Sequence, residues 1–101
     1  MTPAETIGQR IRRERLERDM TQRDLAQQVE VGVPHISKIE AGRENPSDDL
    51  LERIAAALRL DVEELLLVAR RVPQSYLERM AAEPEQALEF LRTWAPSRNQ
   101  S

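Results

Sequence analysis

The side chains best suited to chemistry lie close together in the stretch GVPHISKIEAGR, residues 32–43. This stretch holds the only histidine of the chain, His35, together with Ser37, Lys38 and Arg43. Ammonium and guanidinium groups donate hydrogen bonds to anions and acceptors, while a hydroxyl or an imidazole can donate or accept. With one histidine and no cysteine, a metal site or a nucleophile–base pair would lack partners. These residues therefore indicate a polar binding surface and not a catalytic centre.

The charge balance narrows the class of partner. The sequence carries 15 basic and 18 acidic side chains, which gives a formal net charge of −3. The whole acidic excess falls in residues 47–101, because residues 1–46 carry eight side chains of each sign. This balance disfavours a protein that coats nucleic acid without selectivity, but it permits a small reader of specific sites with a local basic face.

Composition also bears on the cellular setting. The absence of cysteine excludes a disulfide framework and a thiolate metal site. No apolar run approaches the roughly 18 residues of a membrane span, and the start of the chain has no signal-peptide core. We therefore expect a cytoplasmic protein with no cofactor, no metal and no membrane partner.

Apolar spacing and capping residues predict helices, with no strand-like alternation. A first helix is expected over residues 5–19, where Ile7 and Ile11 lie one turn apart. Thr21, followed three residues later by Asp24, predicts the start of a second helix. The stretch 32–42 predicts a third helix whose ends carry residues typical of helix starts and stops: Gly32, Pro34 and Gly42.

Two more helices complete the first part of the chain. Ser47 predicts the start of a fourth helix, and Asp61 with Glu64 predicts a capping box that opens a fifth. The apolar faces of these helices are expected to form one core that includes Leu25, Val29, Ile36, Ile39, Leu50, Ile54 and Leu58. Five short helices with tight joints indicate an all-α domain.

The composition of the sequence changes after Arg71. Prolines bound two short amphipathic stretches, residues 75–82 and 84–94, which contain all the aromatic residues of the chain. Two such short helices cannot bury their apolar faces alone, so they must cover either the first domain or a second copy of themselves. We predict two domains, residues 1–71 and 72–101, with a flexible C-terminus at SRNQS.

Residues 21–43, TQRDLAQQVEVGVPHISKIEAGR, have the order of a helix-turn-helix: a short helix, a turn and a second helix. Together with ISKIEAGRENPS and LLERIAAALRLDVEELL, they resemble the Cro/cI-like (XRE) helix-turn-helix proteins over residues 5–68. The resemblance implies a five-helix, lambda-repressor-like DNA-binding domain in which the third helix enters the major groove.

The resemblance also implies roles for individual residues. The positions expected to read bases are Val33, Pro34, His35, Ser37 and Lys38. The positions expected to hold phosphates are Gln22, Arg43 and Asn45. Arg15 and Glu40 match a pair that joins the first and third helices through a structural salt bridge. Lys38 is the foremost candidate for a base contact, because lysine and arginine commonly bind guanine.

The chain departs from the family pattern at several positions. Glu30 stands where glycine is usual, so either this residue is left-handed at a cost of about 1 kcal/mol or the turn has another shape. Val33 and Pro34 replace a polar pair, which favours a larger share of shape readout. Glu14 stands where a leucine is usual. Leu16 lies off the inner face of the helix, so it is either a solitary surface residue or the point where the tail docks.

Relatives bind palindromic sites as two-fold dimers, so the tail is expected to be a dimerisation unit. Its contact residues would be Tyr76, Leu77, Met80, Leu88, Phe90, Leu91 and Trp94. The alternative is that these side chains complete the core of the single chain.

The resemblance implies a homodimeric transcriptional repressor and not an enzyme. It extends to short repressors of stress or anti-phage defence genes that an ImmA/IrrE-type metallopeptidase inactivates by cutting the tail, here near residues 80–83. A second hypothesis is an antitoxin whose tail binds a toxin while the first domain regulates the operon.

Overall fold

A computed structural model describes residues 4–95, which form seven α-helices with no strand among them. The helices are α1 (Ile7–Glu17), α2 (Gln22–Val29), α3 (Val33–Glu40), α4 (Asp48–Leu58), α5 (Val62–Val68), α6 (Gln74–Ala82) and α7 (Pro84–Trp94). The prediction of an all-α fold is confirmed. The predicted C-terminal flexibility at SRNQS lies outside the described residues.

Side-chain caps start four of these helices. The side chains of Thr6 and Thr21 each accept a hydrogen bond from the backbone amide three residues on. The side chain of that third residue in turn accepts a hydrogen bond from the backbone amide of the threonine. Ser47 caps α4 as predicted. The predicted capping box at Asp61 is wrong, since Asp61 accepts from the Glu63 amide at 2.8 Å and Glu64 instead accepts from Arg10.

The chain divides into two units, residues 1–71 and 72–101. In the first unit α1 packs against α3, α4 and α5, while α2 packs against α3 and α4. The side chains that these helices bury are Ile7, Ile11, Leu25, Ala26, Val29, Ile36, Ile39, Leu50, Leu51, Ile54, Ala55, Leu58 and Leu65. All seven predicted core residues are among them, so that prediction is confirmed.

The backbones of α1 and α3 approach each other closely at Gly8. A methyl group added to Gly8 would lie 2.3 Å from the carbonyl oxygen of Ile39 and 2.9 Å from that of Glu40. Only a residue without a Cβ fits this crossing, because both obstacles are backbone atoms. The end of α3 is thereby held directly against α1.

Glu14, which stands where the resemblance implies a leucine, is buried in an ionic cluster on α1. Its carboxylate accepts from Arg10 at 2.7 Å and from Arg18 at 2.8 Å. Burial raises the pKa of Glu14, but hydrogen bonds from Arg18 and Arg10 outweigh burial and hold the pKa below its usual value. The charged pairs thus replace the apolar contact that a leucine would make.

The second unit is a pair of helices joined at Glu83, which ends α6 and precedes α7. The first helix starts one residue earlier than predicted, at Gln74, and the second spans the predicted residues 84–94. Neither helix contains a buried residue. The rings of Phe90 and Trp94 stack with centroids 6.2 Å apart and remain largely exposed.

The joint between these helices is shorter than the exposed segment expected near residues 80–83. Residues 80–82 belong to the last turn of α6, and only Glu83 separates the two helices. None of the helices in the described part of the chain is long and apolar enough to span a bilayer.

Candidate nucleic-acid interface

The joint between α2 and α3 is set by a left-handed residue. Glu30 has φ 59° and ψ 45°, the conformation that glycine adopts most easily. The amides of Glu30 and Val31 donate to the carbonyls of Gln27 and Ala26 at 3.3 and 3.0 Å, which satisfies the end of α2. Of the two expected alternatives, the structure has the left-handed glutamate.

Helix α3 has one face in the core and one in solvent. Ile36 and Ile39 are buried, whereas Pro34, Ser37 and Lys38 are exposed on the opposite side. Gly32 precedes the helix without a side-chain cap, and Pro34 lies in the first turn, where its missing amide hydrogen costs no helical bond. Val33 and His35 are half-buried on the flanks. The five positions expected to read bases are therefore at or beside the exposed face.

Two cations at this face have no acidic partner among residues 4–95. Lys38 is exposed and is the only lysine of the chain. Arg43 is exposed just beyond Gly42, which has φ 78° and ends the helix. Asn45, the third residue expected to hold phosphates together with Gln22, is exposed in the same loop. An exposed, uncompensated cation is suited to an anionic ligand.

The structure joins Arg15 and Glu40 by two hydrogen bonds of 2.8 and 2.9 Å. Their side chains are only 8% and 4% exposed. The bonds to Glu40 hold the pKa of the Arg15 guanidinium above its usual value against the effect of burial. Arg15 also donates to the Met20 carbonyl, and so α1, the α1–α2 joint and α3 are tied together.

Gln22 belongs to the same network. Its side-chain amide donates to Glu40 Oε1 at 3.1 Å, which fixes the side chain at the start of α2. A shallow cavity of about 280 Å³ lies beside it, lined by Arg12, Arg15, Gln22, Ser37, Glu40 and Ala41. Arg12 is exposed there, with no acidic partner in residues 4–95. Reasoning from the sequence missed Arg12, because its place beside Gln22 depends on how α1 crosses α2 and α3.

His35 has a partner that the sequence did not predict. Its Nδ1 lies 2.7 Å from Oε2 of Glu44. Glu44 follows α3 in the loop that also carries Arg43 and Asn45, and no helical spacing rule links residues nine apart. Within residues 4–95 no three His, Asp or Glu side chains are grouped as a metal site would require.

Comparison with known proteins gives a consistent result. Residues 11–65 match the protein-family model HTH_3, described as "Helix-turn-helix". The immunity repressor protein of Bacillus phage phi105 is 42% identical over 57 residues, which are 56% of this chain and 40% of that protein. The transcriptional regulator ClgR of Mycobacterium tuberculosis (strain ATCC 25618 / H37Rv) is 34% identical over 65 residues, 64% of this chain and 58% of that protein. The chain thus spans about half the length of these relatives.

Solved structures are similar over most of the chain. The clp gene regulator ClgR from Corynebacterium glutamicum has a TM-score of 0.58 at 25% identity, covering 94% of this chain and 100% of that one. The SinR protein/SinI protein complex has a TM-score of 0.58 at 31% identity, covering 88% of this chain and 94% of that one. The phage immunity repressor and the two ClgR proteins are named as a repressor and as regulators, and none of them is named as an enzyme.

Proposed function

Because this chain belongs to the Cro/cI-like (XRE) helix-turn-helix family of transcriptional regulators, we propose that α3 reads DNA in the major groove. The observation that carries the proposal is the exposed face of α3, which bears a lysine and is followed by an arginine, neither of them paired with an acidic side chain in the described part of the chain. A helix with one face anchored in a core and the other free fits a groove about 12 Å wide.

The proposed contacts divide into two kinds. Bases are read from Val33, Pro34, His35, Ser37 and Lys38, with Lys38 reaching a guanine edge. Phosphates are held by Gln22, Arg43 and Asn45, and by Arg12, whose place beside the Gln22 side chain supports its addition. Phosphate contacts release counterions, so affinity should fall steeply as salt rises.

We propose that the protein acts as a homodimer on a palindromic operator. One recognition helix covers too few base pairs to select a site, and two half-sites about 34 Å apart suit a two-fold dimer. The exposed apolar side chains of α6 and α7 support this assembly, since Tyr76, Leu77, Leu88, Phe90 and Trp94 are 43–73% exposed. Met80 of α6 and Leu91 of α7 are half-buried.

Phe90→Asp tests the dimer. The variant should be a folded monomer by sedimentation and circular dichroism, because a charge at the centre of an apolar interface opposes association. Arg92→Asp, at an exposed position two residues along the helix and therefore on the side away from Phe90, is the control and should remain dimeric. A monomeric wild-type protein at micromolar concentration, or a Phe90→Asp variant that is unfolded, would contradict the assignment.

We propose repression as the mode of action, which the name of the phage immunity repressor favours. The regulated genes would serve stress or anti-phage defence, and the protein would act in the cytoplasm, where its operator lies. Cleavage by an ImmA/IrrE-type metallopeptidase at Glu83 would remove α7 and release the operator by mass action. Because residues 80–82 are helical, the last turn of α6 must open before it can be cut. Intact protein after co-expression with such a peptidase under inducing stress would contradict this control.

A second function is an antitoxin whose tail binds a toxin while the first unit regulates the operon. The exposed apolar faces of α6 and α7 suit a foreign partner as well as a second copy, and the SinR/SinI structure is a complex of two proteins. A purified protein that is dimeric alone favours the homodimeric repressor.

DNA reading is tested by selecting bound duplexes from a random pool and sequencing them. The expected product is a palindrome with half-site centres about one helical turn apart. Folded protein that enriches no sequence at low salt would overturn DNA reading and leave the protein partner of the tail as the main function.

A further inference from the structure

His35 on α3 is in contact with Glu44 in the loop that follows the helix. The Nδ1–Oε2 distance of 2.7 Å is that of a short hydrogen bond. The side chains are 35% and 41% exposed, so the pair lies at the surface and not in the core. The Nε2 of His35 has no hydrogen-bond partner among residues 4–95. One edge of the ring is therefore occupied and the other is available.

We propose that Glu44 fixes the tautomer of His35 and thereby sets the base preference of α3 at the base pair that His35 faces. This inference rests on the proposed reading of DNA by α3. An ionised carboxylate can only accept hydrogen bonds, so the proton of the neutral ring must be on Nδ1. The Nε2 atom then carries a lone pair and can only accept.

A fixed acceptor selects among the groups of the major groove. Cytosine N4 and adenine N6 donate there, whereas guanine offers N7 and O6 as acceptors. Phosphate oxygens are also acceptors, so a neutral His35 held by Glu44 is unsuited to the phosphate contact open to a donor ring. His35 thus selects cytosine or adenine, against guanine or thymine, on the strand that it faces, and Glu44 is its positioning residue.

The position of His35 on α3 supports a base contact. His35 and Lys38 are three residues apart, and side chains at this spacing are neighbours on one side of a helix. Lys38 is exposed, and His35 lies between it and the buried Ile39. The two side chains would therefore face neighbouring positions in the major groove. Lys38 would present a donor there, and His35 would present an acceptor. A donor beside an acceptor distinguishes base pairs that two neighbouring donors, such as two lysines, would not distinguish.

The test is selection from a random DNA pool at about pH 8, where an ordinary imidazole is neutral. Four proteins are compared: the wild type, Glu44→Ala, His35→Ala and the double variant. Wild-type sites should prefer cytosine or adenine over guanine or thymine on one and the same strand at one base pair of each half-site, because each base pair has only one such amino donor and only its strand can vary. Each single variant should lose about five- to tenfold of that preference and keep the rest of the site. The double variant should lose no more than either single variant, since the two residues act as one unit.

Glu30→Gln is the matched control for charge. It removes an exposed carboxylate at the start of the turn without touching His35. Both Glu44→Ala and Glu30→Gln should raise affinity for all duplexes by weakening repulsion of phosphates, but only Glu44→Ala should change base preference.

Proton–nitrogen NMR of the single histidine ring tests the tautomer in the free protein. The wild-type ring should carry its proton on Nδ1, and Glu44→Ala should return it to a mixture of both tautomers. A wild-type ring protonated on Nε2, or a base preference that survives Glu44→Ala, would overturn this assignment while leaving DNA reading intact. A pool with no preferred sequence would overturn the proposed function and this assignment with it.

Discussion

The buried pair of Arg15 and Glu40 should contribute more to stability than any exposed salt bridge of the chain. Arg15→Ala would leave the carboxylate of Glu40, whose side chain is 4% exposed, with only the 3.1 Å bond from Gln22. Removing one partner of a buried pair costs about 3–5 kcal/mol, because an uncompensated charge stays out of water. That is a large fraction of the roughly 5–15 kcal/mol by which a small domain is stable.

Arg13 provides a matched comparison. Arg13 also donates two hydrogen bonds to one glutamate, Glu5, at 2.8 and 3.0 Å. Its side chain is 46% exposed and that of Glu5 is 32% exposed, so solvent screens the pair. Arg13→Ala should therefore cost much less than Arg15→Ala. Arg13 donates one further bond, to Glu17 at 3.3 Å, and Arg15 one further bond, to the Met20 carbonyl at 2.8 Å, so the two substitutions differ chiefly in burial.

Urea unfolding followed by circular dichroism measures both variants, with the slope checked for two-state behaviour. Arg15→Ala should lower the free energy of unfolding by at least about 3 kcal/mol and the melting temperature by roughly 12 °C or more. Replacing both partners, Arg15→Met with Glu40→Met, should recover part of the loss. Equal losses for Arg15→Ala and Arg13→Ala would show that burial does not set the strength of these pairs.

Three further substitutions test other features of the first unit. Gly8→Ala should destabilise by about 1–3 kcal/mol in urea unfolding, because its methyl group meets two carbonyl oxygens; Gly32→Ala, with its nearest contact at 3.6 Å, should cost less. Glu14→Gln should have a lower free energy of unfolding than the wild type near neutral pH. This difference should shrink as pH falls below about 4.5, because the ion pairs that lower the pKa of Glu14 stabilise the fold only while its carboxylate is ionised. A deficit independent of pH would contradict the ionic role. Glu30→Gly should stabilise the protein by up to about 1 kcal/mol, because glycine adopts the left-handed conformation without strain. A melting temperature below that of the wild type would contradict the claim that Glu30 is strained.

Local patterns were sufficient to predict the helices. The start of α2 follows from Thr21, and the start and end of α3 follow from Gly32 and Gly42, because caps and stops act within one turn. The buried faces follow from apolar spacing, which depends only on the period of the helix. The family resemblance then supplied the turn between α2 and α3, including the position where Glu30 replaces glycine.

Features that depend on how helices cross could not be predicted in this way. Glu14 is buried together with hydrogen bonds from Arg10 and Arg18. A sequence shows that several charged residues share one face of a helix, but it does not show which of them is buried. The contact of Gly8 with α3 requires the crossing point of two helices. The pairing of His35 with Glu44 depends on the path of the loop after Gly42.

The central claim is that the outward face of α3 contacts DNA, and the single lysine of the chain allows a direct measurement. An amine-selective acylating reagent can modify only Lys38 and the terminal amine. With a selected duplex bound, acylation of Lys38 should slow at least about tenfold, because a lysine engaged with a base edge or phosphate is shielded. Equal acylation of Lys38 in the free protein and in the saturated complex would contradict the assignment of α3 as the DNA-reading helix.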